Sequence, residues 1–203
     1  MSGTNVPRGE ARRQAILRAT LALIGERGSD AVTHRAVAER AELPLSATTY
    51  WFSSKDDLLQ EAFLLAAREE VARVEQVVLD LAPRELDVSQ WAQAVAAALA
   101  ADLEDDPTRH VAFIELVLEG TRRPWLREEV DRWEAAYLRL AELGLRATGS
   151  PEPAIDARVV VASITGLMLG QLVNPRPRFE DEVFRPALER LFTLLTERAM
   201  MRA

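Results

Sequence analysis

The fold is decided by residues 43–59, which read Leu43-Pro44-Leu45-Ser46-Ala47-Thr48-Thr49-Tyr50-Trp51-Phe52-Ser53-Ser54-Lys55-Asp56-Asp57-Leu58-Leu59. Pro44 suits the start of a helix, because the N–H group that proline lacks would have no partner in the first turn. The pattern predicts a helix of barely two turns over about residues 45–52. Ser54, followed by acidic residues, then predicts a capped helix start, because carboxylates are favourable at the positive end of a helix. A short helix thus leads directly into a long one, which we expect Pro83 to end.

The residues before this stretch predict two further helices. Apolar side chains recur at helical spacing over about residues 10–27, and Gly28 ends this helix. Thr33 is a candidate N-cap for a short helix that runs to Ala41. Residues 33–52 therefore form two short helices joined by a tight turn. A DNA-binding helix-turn-helix and a helical hairpin in any α-protein share this pattern, so the spacing alone fits both.

The second of these short helices has two distinct faces. Thr48 and Phe52 can turn inward, and the outward side chains are Leu45, Ser46, Ala47, Thr49 and Tyr50. In a DNA-binding helix-turn-helix, this helix is short and points small or polar side chains into the major groove. The pattern leaves two arrangements of the aromatic pair open: Trp51 packs in the core with Tyr50 exposed, or the reverse.

Helical periodicity continues to the end of the chain, and proline and glycine lie mostly in the gaps. The later helices are expected at about residues 88–104, 108–121, 125–148, 154–173 and 180–200. Pro186 falls in the first turns of the last helix, which therefore either begins near Pro186 or is kinked there. Runs of β-branched residues, which are typical of strands, are almost absent. We therefore predict an all-α fold of nine helices.

Composition excludes several classes of protein. The chain has 203 residues, no cysteine and two histidines, His34 and His110. It therefore has no disulfide framework and no thiol nucleophile, and we expect no metal site and no cofactor. Phosphate-loop, hydrolase and metalloprotease motifs are absent, so we predict no catalytic residues and a protein that is not an enzyme. Because no apolar run reaches about 18 residues and no signal-peptide core is present, we expect a cytoplasmic chain that does not meet a membrane.

Charge is unevenly distributed along the chain. Residues 1–55 carry eight basic side chains against five acidic ones, a local charge of +3, whereas residues 56–203 carry −10. A basic segment attached to an acidic body indicates that only the N-terminal part meets a polyanion. A local charge of +3 is also modest enough to arise by chance, so charge alone leaves both interpretations open.

Three motifs lie within about residues 10–70: Gly28 with Ala31-Val32-Thr33, then Val37-Ala38-Glu39-Arg40-Ala41, and then the stretch 43–59 quoted above. Together they resemble the tetracycline-repressor (TetR) family of bacterial transcriptional regulators. The resemblance implies a TetR-like fold in which residues 10–70 form a DNA-binding domain, with the helix-turn-helix at 33–52. It further implies that residues 71–203 form a larger helical domain for ligand binding and dimerisation.

Position by position, the resemblance implies base-edge contacts for Leu45, Ser46 and Ala47, a base or phosphate contact for Arg35, and phosphate contacts for Thr33, Thr49, Tyr50, Trp51 and Lys55. His34, beside Thr33, is either a polar surface residue or a further contact to the DNA backbone. Two positions depart from the family pattern, since Glu42 stands where glycine is common and Leu45 where lysine is common. Leu45 can contact a thymine methyl group, because apolar side chains read that group. Lys55 is the only lysine, and it lies at a helix start where a cation is slightly unfavourable, which favours a phosphate contact.

Large aromatic side chains mark the larger domain. In a fold of this kind we expect a pocket for a small apolar or aromatic effector near Trp91, Phe113, Trp133, Tyr137 and Met168. Trp133 and Tyr137 lie four residues apart and therefore share one helix face. Ordinary packing between helices accounts for the same aromatic residues and remains an alternative.

The last two predicted helices have more apolar positions than one core needs: Val160, Ile164, Leu167, Leu169, Leu172, Leu188, Leu191, Leu194 and Leu195. Stripes this wide usually face both the core of the protomer and a second chain. Gly166 and Gly170, four residues apart, allow helices to pack closely. We therefore expect a homodimer through the last two helices, as the resemblance also implies.

These observations favour a DNA-binding transcriptional regulator. We expect a repressor that binds a palindromic operator in double-stranded DNA as a dimer and is released by a small apolar effector. The alternative is a helical ligand-binding or interaction protein without operator affinity. Arg35 and Lys55 discriminate between the two, since a scaffold does not need both cations on one exposed side.

Overall fold

The computed structural model describes residues 8–81 and 86–197, and these residues form helices without a strand. The helices are α1 (Arg8–Arg27), α2 (His34–Arg40), α3 (Leu45–Trp51), α4 (Lys55–Leu81), α5 (Val88–Asp105), α6 (Pro107–Glu119), α7 (Pro124–Ala147), α8 (Pro153–Val173) and α9 (Arg185–Glu197). A 3₁₀ turn at Ser29–Ala31 precedes α2, and a π-helical turn at Glu180–Phe184 precedes α9. The prediction of an all-α fold with nine helices is confirmed over the described part of the chain. Pro83 and the predicted end of the last helix at residue 200 lie outside the described residues.

The chain divides into two compact units. The first comprises the described residues up to Glu69 together with Thr108–Val130, and the second comprises Glu70–Pro107 and the described residues from Asp131 onward. The first unit therefore includes most of α6 and the start of α7 as well as the predicted helix-turn-helix. The long helix α4 contributes residues to both units.

The helix starts around the helix-turn-helix are capped as expected. Thr33 Oγ1 accepts a hydrogen bond from the backbone N–H of Ala36 at 3.1 Å. Ser54 Oγ accepts from the N–H of Asp57 at 3.1 Å, and the Asp57 carboxylate accepts from the N–H of Ser53 at 2.8 Å. These bonds satisfy amide groups that have no partner within their helix. The caps therefore fix where α2 and α4 begin.

The turn between α2 and α3 requires an unusual backbone angle at Glu42, whose φ is 55°. Leu43 N donates to Ala38 O at 2.9 Å and Glu42 N donates to Glu39 O at 3.1 Å. This pair of bonds is the Schellman motif, which usually has glycine at the left-handed position. The end of α7 has the same pair of bonds around Gly149, whose φ is 83°. Glu42 thus keeps a turn geometry that glycine adopts at lower cost.

An apolar core holds α1, α2, α3 and the start of α4 together. Its largest buried side chains are Ile16, Leu17, Ile24, Val37, Phe52, Leu58, Leu59 and Phe63. In the same unit, α1 approaches α6 closely at Gly25, where an added Cβ atom would lie 2.2 Å from the carbonyl oxygen of Thr108. Only glycine fits that approach without a backbone shift.

The second unit has its own core, formed by α5, α7, α8, the π-helical turn and α9. Its most buried side chains include Ala92, Ala96, Leu145, Val160, Phe184, Leu188 and Phe192. Asp87 and Gln90 form a reciprocal capping box at the start of α5. Pro186 is the second residue of α9, so of the two predicted alternatives the structure shows the one in which the α-helix begins near the proline, and the start at about residue 180 is wrong. The π-helical turn that precedes it adapts the chain to the N–H group that proline lacks.

Helix α8 is apolar over most of its length. The helix has 21 residues, and an 18-residue stretch of it has a mean hydropathy of 1.4, which is enough to cross a bilayer by length and composition alone. Only 17% of that stretch is buried. Asp156, in the first turn of α8, is nevertheless buried and accepts a hydrogen bond from Ser150 Oγ at 2.6 Å. An exposed apolar face of this kind is typical of helices that pack against another chain as well as of membrane spans.

Candidate functional site

Helix α3 presents small and polar side chains to solvent. Leu45 is 45% exposed, Ser46 and Thr49 are exposed, and Ala47 is half-buried. Thr48 is fully buried, and its hydroxyl donates to the carbonyl oxygen of Leu45 at 2.8 Å. Because Thr48 and the buried Phe52 anchor the inner side of this helix, the outer side is free to meet a partner.

The aromatic pair at the end of α3 takes one of the two predicted arrangements. Tyr50 is 80% exposed, whereas Trp51 is half-buried. The two rings meet edge to face with centroids 5.2 Å apart. The Trp51 ring also lies close to Gly9, where an added Cβ atom would be 3.5 Å from the indole. Tyr50 is therefore the more accessible of the two rings.

The start of α2 offers a second exposed group beside α3. Thr33 and Arg35 are exposed, and His34 is half-buried. The Thr33 hydroxyl oxygen accepts the capping hydrogen bond from Ala36, so the hydroxyl proton remains able to donate. The Nδ1 atom of His34 is buried and has no hydrogen-bond partner among the described residues.

Lys55 is the first residue of α4 and lies beside the helix-turn-helix. Its Nζ atom donates to the backbone carbonyl oxygen of Asp30 at 3.3 Å, and the side chain is half-buried. This bond orients the ammonium group toward the segment that leads into α2. The predicted DNA-contacting residues therefore lie on α2, on α3 and at the start of α4, all within the first unit.

An ionic network supports this part of the first unit. Glu119, at the end of α6, is buried and accepts hydrogen bonds from Ser29 Oγ at 3.2 Å, Arg122 Nη1 at 2.7 Å and Arg123 Nε at 3.0 Å. Arg123 also pairs with Asp56, the residue after Lys55. The network thus joins the end of α6 to the turn before α2 and to the first turn of α4.

The same network fixes the protonation state of its members. The Arg123 guanidinium, which donates to the carboxylate, lowers the pKa of Glu119 below its usual value of 4.5, although desolvation by burial acts in the opposite direction. Hydrogen bonds to Glu119 and Asp56 raise the pKa of Arg123. Both side chains therefore remain charged at neutral pH.

The second unit contains a cavity of about 70 Å³ with an almost entirely apolar wall. Its lining residues are Val74, Val77, Trp91, Val95, Leu99, Tyr137, Leu140, Ala141, Gly144, Val160, Val161, Ile164 and Phe192. Gly144 makes room for Trp91, because an added Cβ atom would lie 3.3 Å from the six-membered ring of the indole. The lining residues belong to α4, α5, α7, α8 and α9.

The structure brings together only some of the residues that were predicted to bind the effector. Trp91 and Tyr137 line the cavity, and Trp133 packs on Tyr137 with ring centroids 4.7 Å apart. Met168 packs against the core of the second unit. Phe113 belongs to the first unit, where its ring stacks on Phe63 with centroids 6.4 Å apart.

A buried carboxylate lies behind the aromatic wall of the cavity. Glu70 is 6% exposed and accepts a hydrogen bond from the hydroxyl group of Tyr137. Glu70 also pairs with Arg73, whose Nε atom lies 3.8 Å from the Asp102 carboxylate. Burial raises the pKa of Tyr137 well above its usual value of 10.0, and the Glu70 carboxylate adds to the shift. Tyr137 therefore keeps its proton at neutral pH.

A wide apolar groove runs between α8 and α9. It has a volume of about 560 Å³ and is lined by Ala162, Ser163, Gly166, Leu167, Ala187, Leu188, Arg190, Leu191 and Leu194. The predicted apolar positions divide into two sets, since Val160, Leu188 and Leu195 are buried in the protomer whereas Leu169 and Leu194 are exposed. Apart from the adjacent residues and the backbone of α8 itself, no atom in the described part of the chain lies within 4 Å of an added Cβ at Gly166 or Gly170.

Two family models match the chain. Residues 16–62 match "Bacterial regulatory proteins, tetR family", and residues 86–194 match "Tetracyclin repressor-like, C-terminal domain". The second match alone covers more than half of the chain. This chain belongs to the TetR family.

Relatives of known sequence or structure agree with this assignment. The HTH-type transcriptional regulator PksA of Bacillus subtilis (strain 168) is 26% identical over 202 residues, which cover 93% of this chain and 92% of PksA. The multidrug binding protein EbrR, crystallised with imidazole, is 35% identical with a TM-score of 0.66, covering 89% of this chain and 94% of EbrR. EbrR has also been crystallised with ethidium. The TetR-family protein SCO1917 of Streptomyces coelicolor A3 is 34% identical with a TM-score of 0.71, covering 91% of this chain and 98% of that protein.

Membership in the TetR family makes this chain a DNA-binding transcriptional regulator with a helix-turn-helix. Regulators of the TetR family are soluble, non-enzymatic transcription factors that bind DNA as dimers and respond to small-molecule effectors. The resemblance found in residues 10–70 and the predicted TetR-like fold are confirmed.

Several residues of this TetR protein were missed by the sequence analysis. Glu70 and Arg73 lie on α4 one turn apart, and nothing in their spacing separates a buried ion pair from an exposed one. Val74 and Val77 follow the apolar stripe of α4, but the stripe predicts burial rather than a place in a cavity wall. Glu119 and Arg123 are four residues apart, which indicates a helix-surface pair but not its connection to Ser29.

Proposed function

We propose that this TetR-family regulator is a repressor that binds a palindromic operator as a homodimer and that a small aromatic effector in the cavity of the second unit releases it. The observation that carries the proposal is the exposed face of α3, flanked by Arg35 and Lys55. We propose DNA contacts in residues 10–70 and effector binding and dimerisation in residues 71–203.

The DNA contacts follow from the exposed chemistry of α2, α3 and the start of α4. Ser46 and Ala47 are small, which lets the α3 backbone approach base edges closely, and Leu45 offers an apolar contact to a thymine methyl group. The remaining proposed contacts are to the DNA backbone, and they involve Thr33, His34, Arg35, Thr49, Tyr50, Trp51 and Lys55. Hydrogen-bond donors and cations are the groups that phosphates attract.

A selection from random DNA tests the operator. The purified full-length chain should enrich a two-fold symmetric sequence whose half-site centres are about 34–36 Å apart, or a multiple of that spacing. Arg35→Ala should weaken binding to the enriched site, whereas Arg139→Ala, a matched change at an exposed arginine of α7, should leave it unchanged. Recovery of no palindrome by the wild-type chain would overturn the proposal.

The homodimer is proposed to form through α8 and α9. The groove between these helices is apolar, and Leu169, Val173 and Leu194 around it are exposed in the single chain. Exposed apolar surface of this extent is typical of an interface between chains. Dimer formation would also cover the exposed apolar face of α8 with a second copy of the chain.

The effector is proposed to act by enlarging the cavity. At about 70 Å³ the cavity is about half the size of the engineered cavity of about 150 Å³ that holds benzene. An aromatic ligand must therefore push the lining helices apart, and Val74 and Val77 place α4 among them. Because α4 also carries Lys55 at its start, a shift of this helix changes the DNA-contacting end of the same element.

Ethidium, which the relative EbrR binds, provides a probe for release. Addition of ethidium to the complex of chain and operator should lower the bound fraction of DNA. Ala141→Leu, which fills the cavity, should abolish this response while leaving operator affinity within about three-fold, and Trp133→Ala should act in the same direction by removing the support of Tyr137. Ala101→Leu, on the exposed surface of α5, serves as the matched control.

A further inference from the structure

The ammonium group of Lys55 is held in place before any DNA binds. A lysine side chain is long and flexible, so an ammonium group without a partner loses conformational freedom when it meets a phosphate. In this chain the Lys55 ammonium group already donates to the carbonyl oxygen of Asp30 at 3.3 Å. An ammonium group has three N–H donors, so this bond leaves two of them for a phosphate. The bond to Asp30 therefore preorganises Lys55 for the proposed DNA contact.

The carbonyl group that holds Lys55 lies in a turn that is itself held by Glu119. Asp30 is the middle residue of the 3₁₀ turn Ser29–Ala31. Ser29 Oγ donates to the Glu119 carboxylate at 3.2 Å, and the Ser29 carbonyl oxygen accepts from the N–H of Val32 at 3.2 Å. Because these bonds fix the residue before Asp30, they also restrain the direction of the Asp30 carbonyl group. Glu119 thus reaches the Lys55 ammonium group through the turn.

Glu119 also reaches the backbone from which Lys55 extends. Arg123 Nε donates to the Glu119 carboxylate at 3.0 Å, and the Arg123 guanidinium group also pairs with Asp56, the residue after Lys55. Asp56 lies in the first turn of α4, so this pair ties the start of α4 to the end of α6. Glu119 therefore holds Lys55 by two routes, one through the acceptor of its ammonium group and one through its own helix.

Building on the proposed contact between Lys55 and DNA, we propose that Glu119 is a positioning residue for DNA binding. It acts through Lys55, whose ammonium group it holds where that group can donate to a phosphate. Without Glu119, Lys55 keeps its charge but is free to adopt other rotamers, so the chain binds every DNA sequence more weakly. Glu119, Arg123, Ser29, Asp56 and Lys55 all belong to the first unit, so we expect this effect in the absence of any effector.

A DNA duplex of mixed sequence is the probe, because a phosphate contact does not depend on the base sequence. Fluorescence anisotropy with the full-length chain and no effector should show that Ser29→Ala lowers the affinity for this duplex at least about three-fold, as the loss of one hydrogen bond does. Glu119→Gln should lower the affinity further, because it weakens both routes to Lys55. Both variants should also reduce the slope of log affinity against log salt by up to about one, the change expected when one phosphate contact is lost.

Glu142→Gln is the matched control. Like Glu119→Gln, it replaces a carboxylate that pairs with an arginine by an amide, but Glu142 pairs with Arg146 in the second unit. Each of the two substitutions removes one negative charge, which by itself strengthens binding to polyanionic DNA. Weaker binding of Glu119→Gln is therefore opposite to the effect of its changed charge, and Glu142→Gln should bind at least as tightly as wild type.

A double-mutant cycle separates positioning of Lys55 from a general effect on the fold. When Lys55 is already replaced by alanine, Ser29→Ala and Glu119→Gln should change affinity by less than about two-fold, because effects that act through one contact do not add. A substitution that only loosens the first unit lowers affinity by the same factor in both backgrounds. Ser29→Thr keeps the hydroxyl group and should retain the wild-type affinity. Ser29→Ala leaves the bonds from Arg122 and Arg123 to Glu119 in place, so it tests the proposal even if Glu119→Gln does not fold.

The outcomes separate this inference from the proposed function. Unchanged DNA binding by Lys55→Ala contradicts the proposed contact of Lys55 and, with it, the inference. Weaker binding by Lys55→Ala together with unchanged binding by Ser29→Ala and Glu119→Gln overturns the inference alone. Equal losses in the wild-type and Lys55→Ala backgrounds also overturn it, since Glu119 then supports the fold of the first unit rather than the position of Lys55. Circular dichroism at the temperature of the binding assay shows which variants are folded.

Discussion

Glu42 connects the stability of the chain to the geometry of the DNA-contacting helices. A left-handed backbone conformation costs a residue with a side chain about 1–2 kcal/mol, because Cβ approaches the following carbonyl oxygen. The turn keeps this conformation, since the two Schellman hydrogen bonds around Glu42 end α2 just before α3 begins. The chain therefore tolerates a local cost in order to hold the two helices at a fixed angle.

Glu42→Gly should stabilise the protein. Glycine removes the steric cost but adds chain entropy worth about 0.5–1 kcal/mol, so we expect a net gain of about 0.5 kcal/mol in the free energy of unfolding. The converse change, Gly149→Glu in the matching turn after α7, should lower the free energy of unfolding by about 1 kcal/mol. Urea unfolding measures both. A loss of stability in Glu42→Gly would show that the glutamate side chain makes a contribution that outweighs the strain.

Glu119 should make stability depend on pH. Its pKa is lowered in the folded chain, so its contribution is complete above the unfolded value of about 4.5 and is lost as the pH falls through the folded value. Glu119→Gln should reduce the free energy of unfolding at pH 7 by about 1.5–3 kcal/mol, the usual range for hydrogen bonds to a charged group. The difference from wild type should shrink below pH 4.5. A difference that is constant from pH 7 to pH 3 would contradict this account.

At the scale of residues, the sequence predicts local contacts well and distant ones poorly. Thr33 and Ser54 were predicted as caps, since a cap and its amide lie within three residues. The hydrogen bond from Tyr137 to Glu70 joins residues 67 positions apart, and no periodicity encodes it. The two aromatic rings of α3 stayed ambiguous for the same reason, because neighbouring residues differ only in which tertiary contacts they find.

Helix α3, the proposed recognition helix, is a short element whose stability depends on its neighbours. Its seven residues bury one side chain completely, Thr48, and leave most of the others at least partly accessible. A helix of this length has little stability by itself, since short helices depend on tertiary packing. The core around Phe52 and the capped start of α4 supply that packing. The outer face of α3 is therefore not needed for packing and is free for the proposed contacts with an operator.

Two substitutions near α3 should have different effects on DNA binding. Lys55→Ala should weaken binding to all sequences similarly and reduce the slope of log affinity against log salt by up to about one, because one phosphate contact is lost. Ser46→Gln should instead change the preferred base at one position of each half-site. Arg68→Ala, at an exposed residue 13 positions further along α4, is the control for charge. If both test variants bind like wild type, α3 is not the recognition helix.

At the scale of elements, the predicted helix limits agree with the structure where a capping residue, proline or glycine fixes them. The starts of α2, α5 and α8 fall within two residues of the predicted positions. The π-helical turn at 180–184 was not predicted, because it follows the same apolar spacing as an ordinary helix and differs only in its hydrogen bonds.

At the scale of the molecule, the features hardest to predict are those assembled from many helices. The cavity draws its wall from five helices, so the aromatic residues alone gave only Trp91 and Tyr137. Phe113 was grouped with them on the basis of chain order, whereas the structure stacks it on Phe63 in the first unit. Apolar patterning identifies buried positions but does not show which of these residues line a cavity.

The exposed surface of α8 and α9 supports the proposed homodimer. Leu169, Val173 and Leu194 remain exposed in the single chain, and the groove between the helices offers room for side chains of a second copy. A dimer of this kind should bury well over about 2,000 Å² in total, as obligate interfaces do. In such a dimer, Gly166 and Gly170 of α8 would allow helices of the two copies to pack closely.

Gly166→Leu should separate the dimer without unfolding the protomer. Apart from the adjacent residues and the backbone of α8 itself, no atom of the described residues lies within 4 Å of an added Cβ at Gly166. Leucine is also a better helix former than glycine by about 1 kcal/mol. The larger side chain would nevertheless occupy the groove that a second copy needs. Sedimentation equilibrium should show a wild-type dimer and a variant whose dimer dissociates at least a hundred-fold more readily, with unchanged helical circular dichroism. Ala101→Leu on the exposed face of α5 should remain dimeric. A monomeric wild-type chain at micromolar concentration would refute the assembly.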